Sequence, residues 1–425
     1  MIVDILQIVS EYLDLKEKIR LCHLNKYTDE YLKIFDLYDI DINLRNKLNQ
    51  KIIEQKKFNR LKRLNANIHI TSVNHLADTL IELSCKRTVQ YYLPLGICQE
   101  GIQNLTKLQK LEASYNANIT NVNHLANSLI ELHCEGACGI DQFGVNQLIK
   151  LQKICVDYNQ KITDISFLNK TLVDLSCRGF TISNDQIQKL TNLRHLNAES
   201  NRSIRDIGHL SETLLVLNCS DACGIDQSQI NMLKKLQKLY ASDNKKIHNV
   251  NHLAKSLIEL DCSCNCSIDQ NGIRDLINLQ ILNASSNPLI YNVNHIFNLI
   301  SLDCRSICGI DQKGICKLNK LQTLYTYDNN KIYDVNFCGK SLILLNCGGK
   351  SAVNQKGIQK LTRLQKLFMV GNKFIVNLNH LADSLIELKC MSSLLSPKEI
   401  NKLKVLKVLD GSSFDKNFDV QSNLY

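Results

Sequence analysis

The chain has 425 residues, of which 44% are apolar, with three prolines, no tryptophan and a net charge of +10 from 51 basic and 41 acidic side chains. That length exceeds one ordinary compact core, and the basic residues are scattered among acidic ones, which argues against nucleic acid as a partner. No basic segment followed by an apolar run opens the sequence, no run approaches the roughly 18–20 apolar residues of a membrane span, and eighteen cysteines without a leader point to free thiols in a reducing, intracellular compartment.

Residues 1–60 read as helices: IVDILQIVSEYL, LKEKIRLCHLNK, TDEYLKIFDLY, then a basic helix NLRNKLNQKIIEQKKF. The order V-D-I-L-x-x-V-x-x-Y-L, a short gap, then K-I-R-L-x-x-L-N-K resembles the F-box family, with matches at Asp4, Ile5, Leu6, Tyr12, Leu13, Leu24 and Lys26. The sequence departs from that family in having no Leu-Pro before Asp4, Asn25 in place of a cysteine, and no tryptophan afterwards. The resemblance implies that the helices dock the adaptor subunit of an SCF-type ubiquitin ligase. Ile5, Leu6, Val9, Leu13, Ile19 and Leu24 would then divide between adaptor contact and internal packing. The residues alone leave another reading open, a helical cap shielding the end of a stacked array.

From residue 61 the chain repeats. SLIELDC at 256–262 recurs as TLIELSC, SLIELHC, TLVDLSC, TLLVLNC, NLISLDC, SLILLNC and SLIELKC, closing at Cys85, Cys134, Cys177, Cys219, Cys262, Cys304, Cys347 and Cys390. A second phrase, such as LQKLEASYN and LQKLYASDN, alternates with it and ends at Asn116, Asn159, Asn201, Asn244, Asn287, Asn329 and Asn372. Each unit of 21–22 residues reads L-x-x-L-x-(C/A)-x-x-(N/A)-x-x-I. This resembles the leucine-rich repeat family over residues 61–410, and the whole chain looks like leucine-rich-repeat proteins encoded by giant DNA viruses, in keeping with its Asn, Lys and Ile bias. The expected fold is an α/β solenoid of about fifteen or sixteen such units, with a parallel sheet on the concave face. The N-terminal helical module occupies 1–40, a linker helix 41–60, the solenoid 61–410 and a tail 411–425.

In LxxLxC a short strand alternates, so the second Leu and the Cys point inward. Asp141, Ser183, Asp226, Asp269, Asp311 and Asn354 stand where an N-cap would begin a short return helix, and Ser396-Pro397-Lys398-Glu399 has capping-box spacing. The return NVNHLAxS reads as a tighter turn. Core cysteines such as Cys219 and Cys262 fall two strand steps apart, roughly 9.6 Å, beyond disulfide reach. The C-x3-C pairs at Cys134, Cys219, Cys262 and Cys304 have no second ligand pair on the same coil, so they read as small core filler and no metal or other cofactor is expected. Cys264, aligned with Gly136, Gly179, Asp221, Ser306, Gly349 and Ser392, should face outward as a candidate reactive thiol. His75, His124, His252, His295 and His380 align with Phe167 and Phe337, which favours a packed ring over a ligand. GGKS at 348–351 lacks the earlier glycine of a phosphate loop, and no catalytic motif is present.

The residue before the second Leu lines the inner curve: Glu82, Lys110, Glu131, Lys153, Asp174, His195, Val216, Lys238, Glu259, Ile281, Ser301, Thr323, Leu344, Lys366, Glu387. Its first half alternates in sign and should neutralise itself across strands. From Ile281 to Leu344 the alternation breaks, and neighbouring outward columns carry Tyr240, Tyr325, Tyr327, Phe368 and Val370. Aromatic and aliphatic residues gathered on an open sheet mark either a protein-binding face or a surface covered by the C-terminal tail. The expected function is non-enzymatic protein recognition, as the substrate receptor of an SCF-type ubiquitin ligase by resemblance, with a stand-alone interaction scaffold or decoy as the alternative. A protein partner on the concave face is expected, with no nucleic acid or membrane. The expected compartment is the cytoplasm, or a host cytoplasm if the chain is viral.

Overall fold

The computed structural model describes residues 2–87 and 96–410. The tail whose folding back over the sheet was expected, 411–425, lies outside these residues. The chain forms two compact units, Met1–Ile204 and Arg205–Tyr425.

The first unit opens with helices α1 (Ile2–Glu11), α2 (Leu15–Cys22) and α3 (Lys26–Tyr31). Asp14 starts α2 with a full capping box: its carboxylate accepts from the Glu17 amide, and the Glu17 carboxylate accepts from the Asp14 amide. Asn25 and Thr28 do the same for α3. Two expected helices are corrected here. TDEYLKIFDLY stops being helical after Tyr31, and Asp36–Leu37 instead forms a strand parallel to Arg63–Asn65. The basic helix is broken into α4 (Ile42–Lys47), α5 (Gln50–Ile53) and a 3-10 turn at Lys56–Phe58. The break falls at Asn49, which is extended and uses its side chain to cap the Ile52 amide.

After Arg63–Asn65 the unit stacks six further three-residue strands, Glu82–Ser84, Lys110–Glu112, Glu131–His133, Lys153–Cys155, Asp174–Ser176 and His195–Asn197. All pair in parallel, so Glu82, Lys110, Glu131, Lys153, Asp174 and His195 lie in one register row, as the repeat predicts. The second unit stacks ten parallel strands from Val216–Asn218 to Val408–Asp410 by the same rule. The repeat thus extends at both ends beyond the fifteen strands of the outward row, to Arg63–Asn65 and Val408–Asp410, where the sequence phrase is worn down.

The core is the same in both units. From Leu64 to Leu388 the second Leu of each strand, or Ile154 in its place, is buried, as is the closing Cys, for example Leu132 and Cys134 or Leu302 and Cys304. Each buried Asn satisfies backbone groups that the coil turns inward. Asn159 donates to the carbonyls of Cys134 and Ile140 while accepting from the Lys161 amide. Asn329 repeats this with Cys304, Ile310 and Lys331. Burying those carbonyls without a donor would be costly, so the column is a structural ladder.

Side-chain caps form at Asp141, Asp226, Asp269, Asp311 and Asn354. At Ser183 and Ser396 the following helices begin without one, so the expected capping box at Ser396 does not form. Glu399 instead reaches Lys402 at 2.6 Å. The NHL returns are single 3-10 turns. The histidines of this column do more than pack: Nε2 of His124, His252, His380 and, in the plain turn at Asn294-His295, His295 donates to the carbonyls of Ile102, Ile230, Ile358 and Ile273 at 2.9–3.0 Å. Burial lowers the pKa of His124 and His380, holding them in the neutral form. No helix among the described residues is long and apolar enough to cross a membrane.

Candidate interaction surfaces

On the first unit the outward face neutralises itself. Arg63 bridges Asp36, Asp39 and Glu82 at 2.7–3.1 Å. Lys110 meets Glu131 at 3.1 Å, and Lys153 lies between Glu131 and Asp174 at 3.6 and 3.8 Å. The neighbouring columns close in the same way, with Lys86 on Glu112, Ser176 on Asp157 and Arg178 on Glu199.

The second unit begins alike and then changes. Lys238 meets Glu259 at 2.8 Å, and the Tyr240 hydroxyl donates to the same carboxylate at 2.8 Å. Tyr240 therefore belongs to the polar border, and burial together with Glu259 raises its pKa. Then Ile281, Ser301, Thr323 and Leu344 succeed one another in register with no charge among them, until Lys366 pairs with Glu387 at 3.1 Å. Ile281 is 40% exposed. Tyr325 stands next to this row, half-buried, with the Arg305 guanidinium 5.6 Å from its ring centroid and Asp303 holding that arginine. Tyr327 follows on the same face, 39% exposed, its ring lying over Gly348, where an added Cβ would come within 3.0 Å of it. Phe368 is flanked by the Lys389 ammonium at 5.1 Å, and Val370 is half-buried. An open groove of about 700 Å³ adjoins these strands at Ile258, Gln280, Ile300 and Gln322. The structure thus gathers Ile281, Tyr325, Tyr327, Leu344, Phe368 and Val370 on one face and ties Tyr240 to the charged border.

The N-terminal helices hold a further apolar surface. Gln7 anchors α1 by exchanging two hydrogen bonds with the backbone of Lys33, and Ser10 is buried beside it. That places Leu6 and Leu13 on the half-buried side and turns Ile5, Ile8, Val9 and Tyr12 outward at 55, 58, 46 and 87% exposure. These four positions are spaced i, i+3, i+4, i+7, so they form one stripe along the helix. Leu24 is exposed as well, while Ile19 is half-buried. Ile8 was missed by the sequence reading.

No protein-family model and no curated protein matches the sequence. Among solved structures, the chain is similar to that of the TLR13–ssRNA13 complex, with a TM-score of 0.55 and 21% identity, covering 82% of this chain and 60% of that one. The fold is a leucine-rich-repeat solenoid. It is also similar to an internalin of Listeria monocytogenes (TM-score 0.42, 20% identity, 73% of this chain and 88% of that chain). A third likeness is to the yeast Rad7 and Elc1 complex (0.44, 14%, 97% and 95%). At 21% identity the first of these likenesses speaks for the fold alone.

The leucine-rich repeats hold their cysteines as free thiols. Cys134, Cys219, Cys262 and Cys304 lie in the core, where each thiol donates to a carbonyl of the next strand at 3.3–3.5 Å. Burial pushes the thiols of Cys85 and Cys347 up to about 12 and that of Cys138 up to about 11, which keeps them protonated and unreactive. Cys264 is half-exposed in the left-handed turn after its strand, at φ 60°, as are Asp221, Ser306 and Ser392 in the matching places. Cys155 breaks the pattern. It occupies the outward position held by Glu112 and Asn197 in the repeats LQKLEASYN and LRHLNAESN, beside His133. It was missed by the sequence reading, which weighs the two core columns and Cys264 but not Cys155, although aligning LQKICVDYN with its sister phrases places Val156, not Cys155, inward.

Proposed function

We propose that the chain is a non-enzymatic recognition protein with two docking surfaces. The face around Ile281, Tyr325, Tyr327, Leu344, Phe368 and Val370 receives a protein partner, and α1 to α3 dock a second protein, the adaptor subunit of an SCF-type ubiquitin ligase. The single observation that carries the reading is the outward stripe Ile5-Ile8-Val9-Tyr12. A helix serving only as a cap would bury its apolar side. This one buries Ser10, half-buries Gln7, and turns three aliphatic side chains and a tyrosine to solvent.

Of the six residues expected to divide between the two roles, the exposed Ile5, Val9 and Leu24 fit adaptor contact, and the half-buried Leu6, Leu13 and Ile19 fit internal packing. Partner binding by the second unit draws on side chains of the kinds that anchor interfaces, aromatic rings with aliphatic neighbours and few charges. The alternative, a stand-alone scaffold, differs in one respect: it needs no adaptor. Co-purification of the full chain with an SCF adaptor subunit separates the two. Binding that Ile8→Asp with Val9→Asp abolishes, at unchanged circular dichroism, supports the ligase reading. A full-length chain that captures no adaptor refutes it and leaves the scaffold.

A further inference from the structure

We propose that His133, Glu135 and Cys155 form a binding site for one transition-metal ion of the zinc class on the outward face of the first unit. Cys155 stands opposite His133 in register on the adjacent strand, and Glu135 follows His133 by two residues on the same face. An imidazole nitrogen, a carboxylate oxygen and the thiol sulfur all lie within 4.8 Å of one another, and no other trio of such groups among the described residues comes together in this way. Two sides of the triangle are already short: Cys155 Sγ to Glu135 Oε1 is 3.1 Å, and His133 Nδ1 to Glu135 Oε1 is 3.7 Å. Ligands bonded tetrahedrally to Zn2+ at about 2.0–2.3 Å stand roughly 3.5 Å from each other, so small side-chain rotations close the site. The mixture of nitrogen, sulfur and oxygen donors suits zinc and its neighbours rather than calcium or magnesium.

The orientation of His133 supplies a second argument. Its Nε2–H donates to Glu131 Oε1 at 2.7 Å, which leaves Nδ1 directed at Glu135. A carboxylate behind a histidine fixes the tautomer and ring angle in many metal centres. Glu131 is itself held by Lys110 and Lys153. Binding exchanges an S–H bond for an S–metal bond: the Cys155 thiol proton leaves to solvent, with any proton on His133 Nδ1, and no oxidant or reductant takes part. Cys155 is 6% exposed, whereas the His133 and Glu135 side chains are partly open, so three protein ligands leave a fourth position for water at the surface.

The test uses the full chain, reduced, stripped by a chelator and titrated with Co2+ alone. The expected result is a sulfur-to-cobalt charge-transfer band in the near ultraviolet that saturates at one equivalent and is displaced by Zn2+. Cys155→Ser should abolish the band. His133→Gln should weaken binding by more than about tenfold, and Glu131→Gln, which removes a positioning residue only, by about 10- to 100-fold with the band retained. Cys264→Ser and Cys316→Ser should change nothing. No band in the full chain, or a band that survives Cys155→Ser, overturns the proposal and leaves a network of hydrogen bonds alone. If Cys155→Ser loses the native circular dichroism, His133→Gln decides: undiminished affinity overturns the site.

Discussion

The two units repeat the same coil and the same kind of interior but treat their outward faces differently. In the first, each strand answers its neighbour, Arg63 with Glu82, Lys110 with Glu131, Lys153 with Asp174. In the second, Glu259 is followed by Ile281, Ser301, Thr323 and Leu344 before charge returns at Lys366. Outward side chains are free of the packing constraint that fixes Leu, Cys and Asn inside, so selection can vary them without disturbing the coil. Cross-strand ion pairs give the first face modest stability, about 0.2–1 kcal/mol each. The second face forgoes that and retains apolar surface, which makes sense where another molecule covers it.

The strongest way to break this comparison is to remove the apolar face. Replacing Ile281, Tyr325, Leu344 and Phe368 with Ser should abolish capture of the partner while circular dichroism stays unchanged. Replacing Arg63, Lys86 and Lys238 with Ser on the charged faces should alter capture less than about threefold. Equal capture by both variants would remove the distinction between the faces. Next in size, Asn159→Ala and Asn329→Ala should destabilise the protein to the same degree, about 1–3 kcal/mol for each buried carbonyl left without a donor, as read by urea unfolding. Unequal losses would mean that the interiors differ too.

A smaller effect should follow from grafting the first unit's pattern onto the second. Ser301→Glu with Thr323→Lys, opposite each other in register, should add about 0.2–1 kcal/mol of stability and weaken partner capture. The smallest concerns pH. The folded-state pKa values of His124 and His380 lie below the unfolded value of 6.5, so the unfolded chain binds more protons as pH falls. Their contribution to stability is complete above pH 6.5 and is lost as pH drops through the folded pKa. His124→Phe with His380→Phe, matching Phe167 and Phe337, should flatten that acid limb in pH-dependent urea unfolding.

Much of the fold was legible because a fixed beat of Leu, Cys or Ala, and Asn leaves little freedom: within each unit the outward row pairs in register as read, from Glu82 to His195 in the first and from Val216 to Glu387 in the second. Other features were hidden for specific reasons. Apolar residues occur all around α1, so the sequence could not tell that Ile8 faces solvent while Leu6 turns inward. Asn49 looks like one polar residue in a basic helix until its side chain is seen capping Ile52. The histidine column shared by two phenylalanines suggested a ring alone, because a hydrogen bond to the preceding coil leaves no trace in spacing. The division at Ile204 had no signal, since the repeat runs on across it. Of the candidate sites, the apolar face was visible as a break in charge alternation, whereas the meeting of His133, Glu135 and Cys155 required knowing which strand positions become neighbours.

The asparagine ladder also has an evolutionary consequence. Within the second unit, each such residue grips the coil immediately before it and its own turn, and the same grip recurs 43 residues on at Asn287 and 42 further at Asn329. A stretch of one such length, excised or duplicated between two matching points in the gene, leaves flanking coils that already fit each other. Unequal crossing-over could therefore lengthen or shorten the outward face in whole steps while the interior stays as it was.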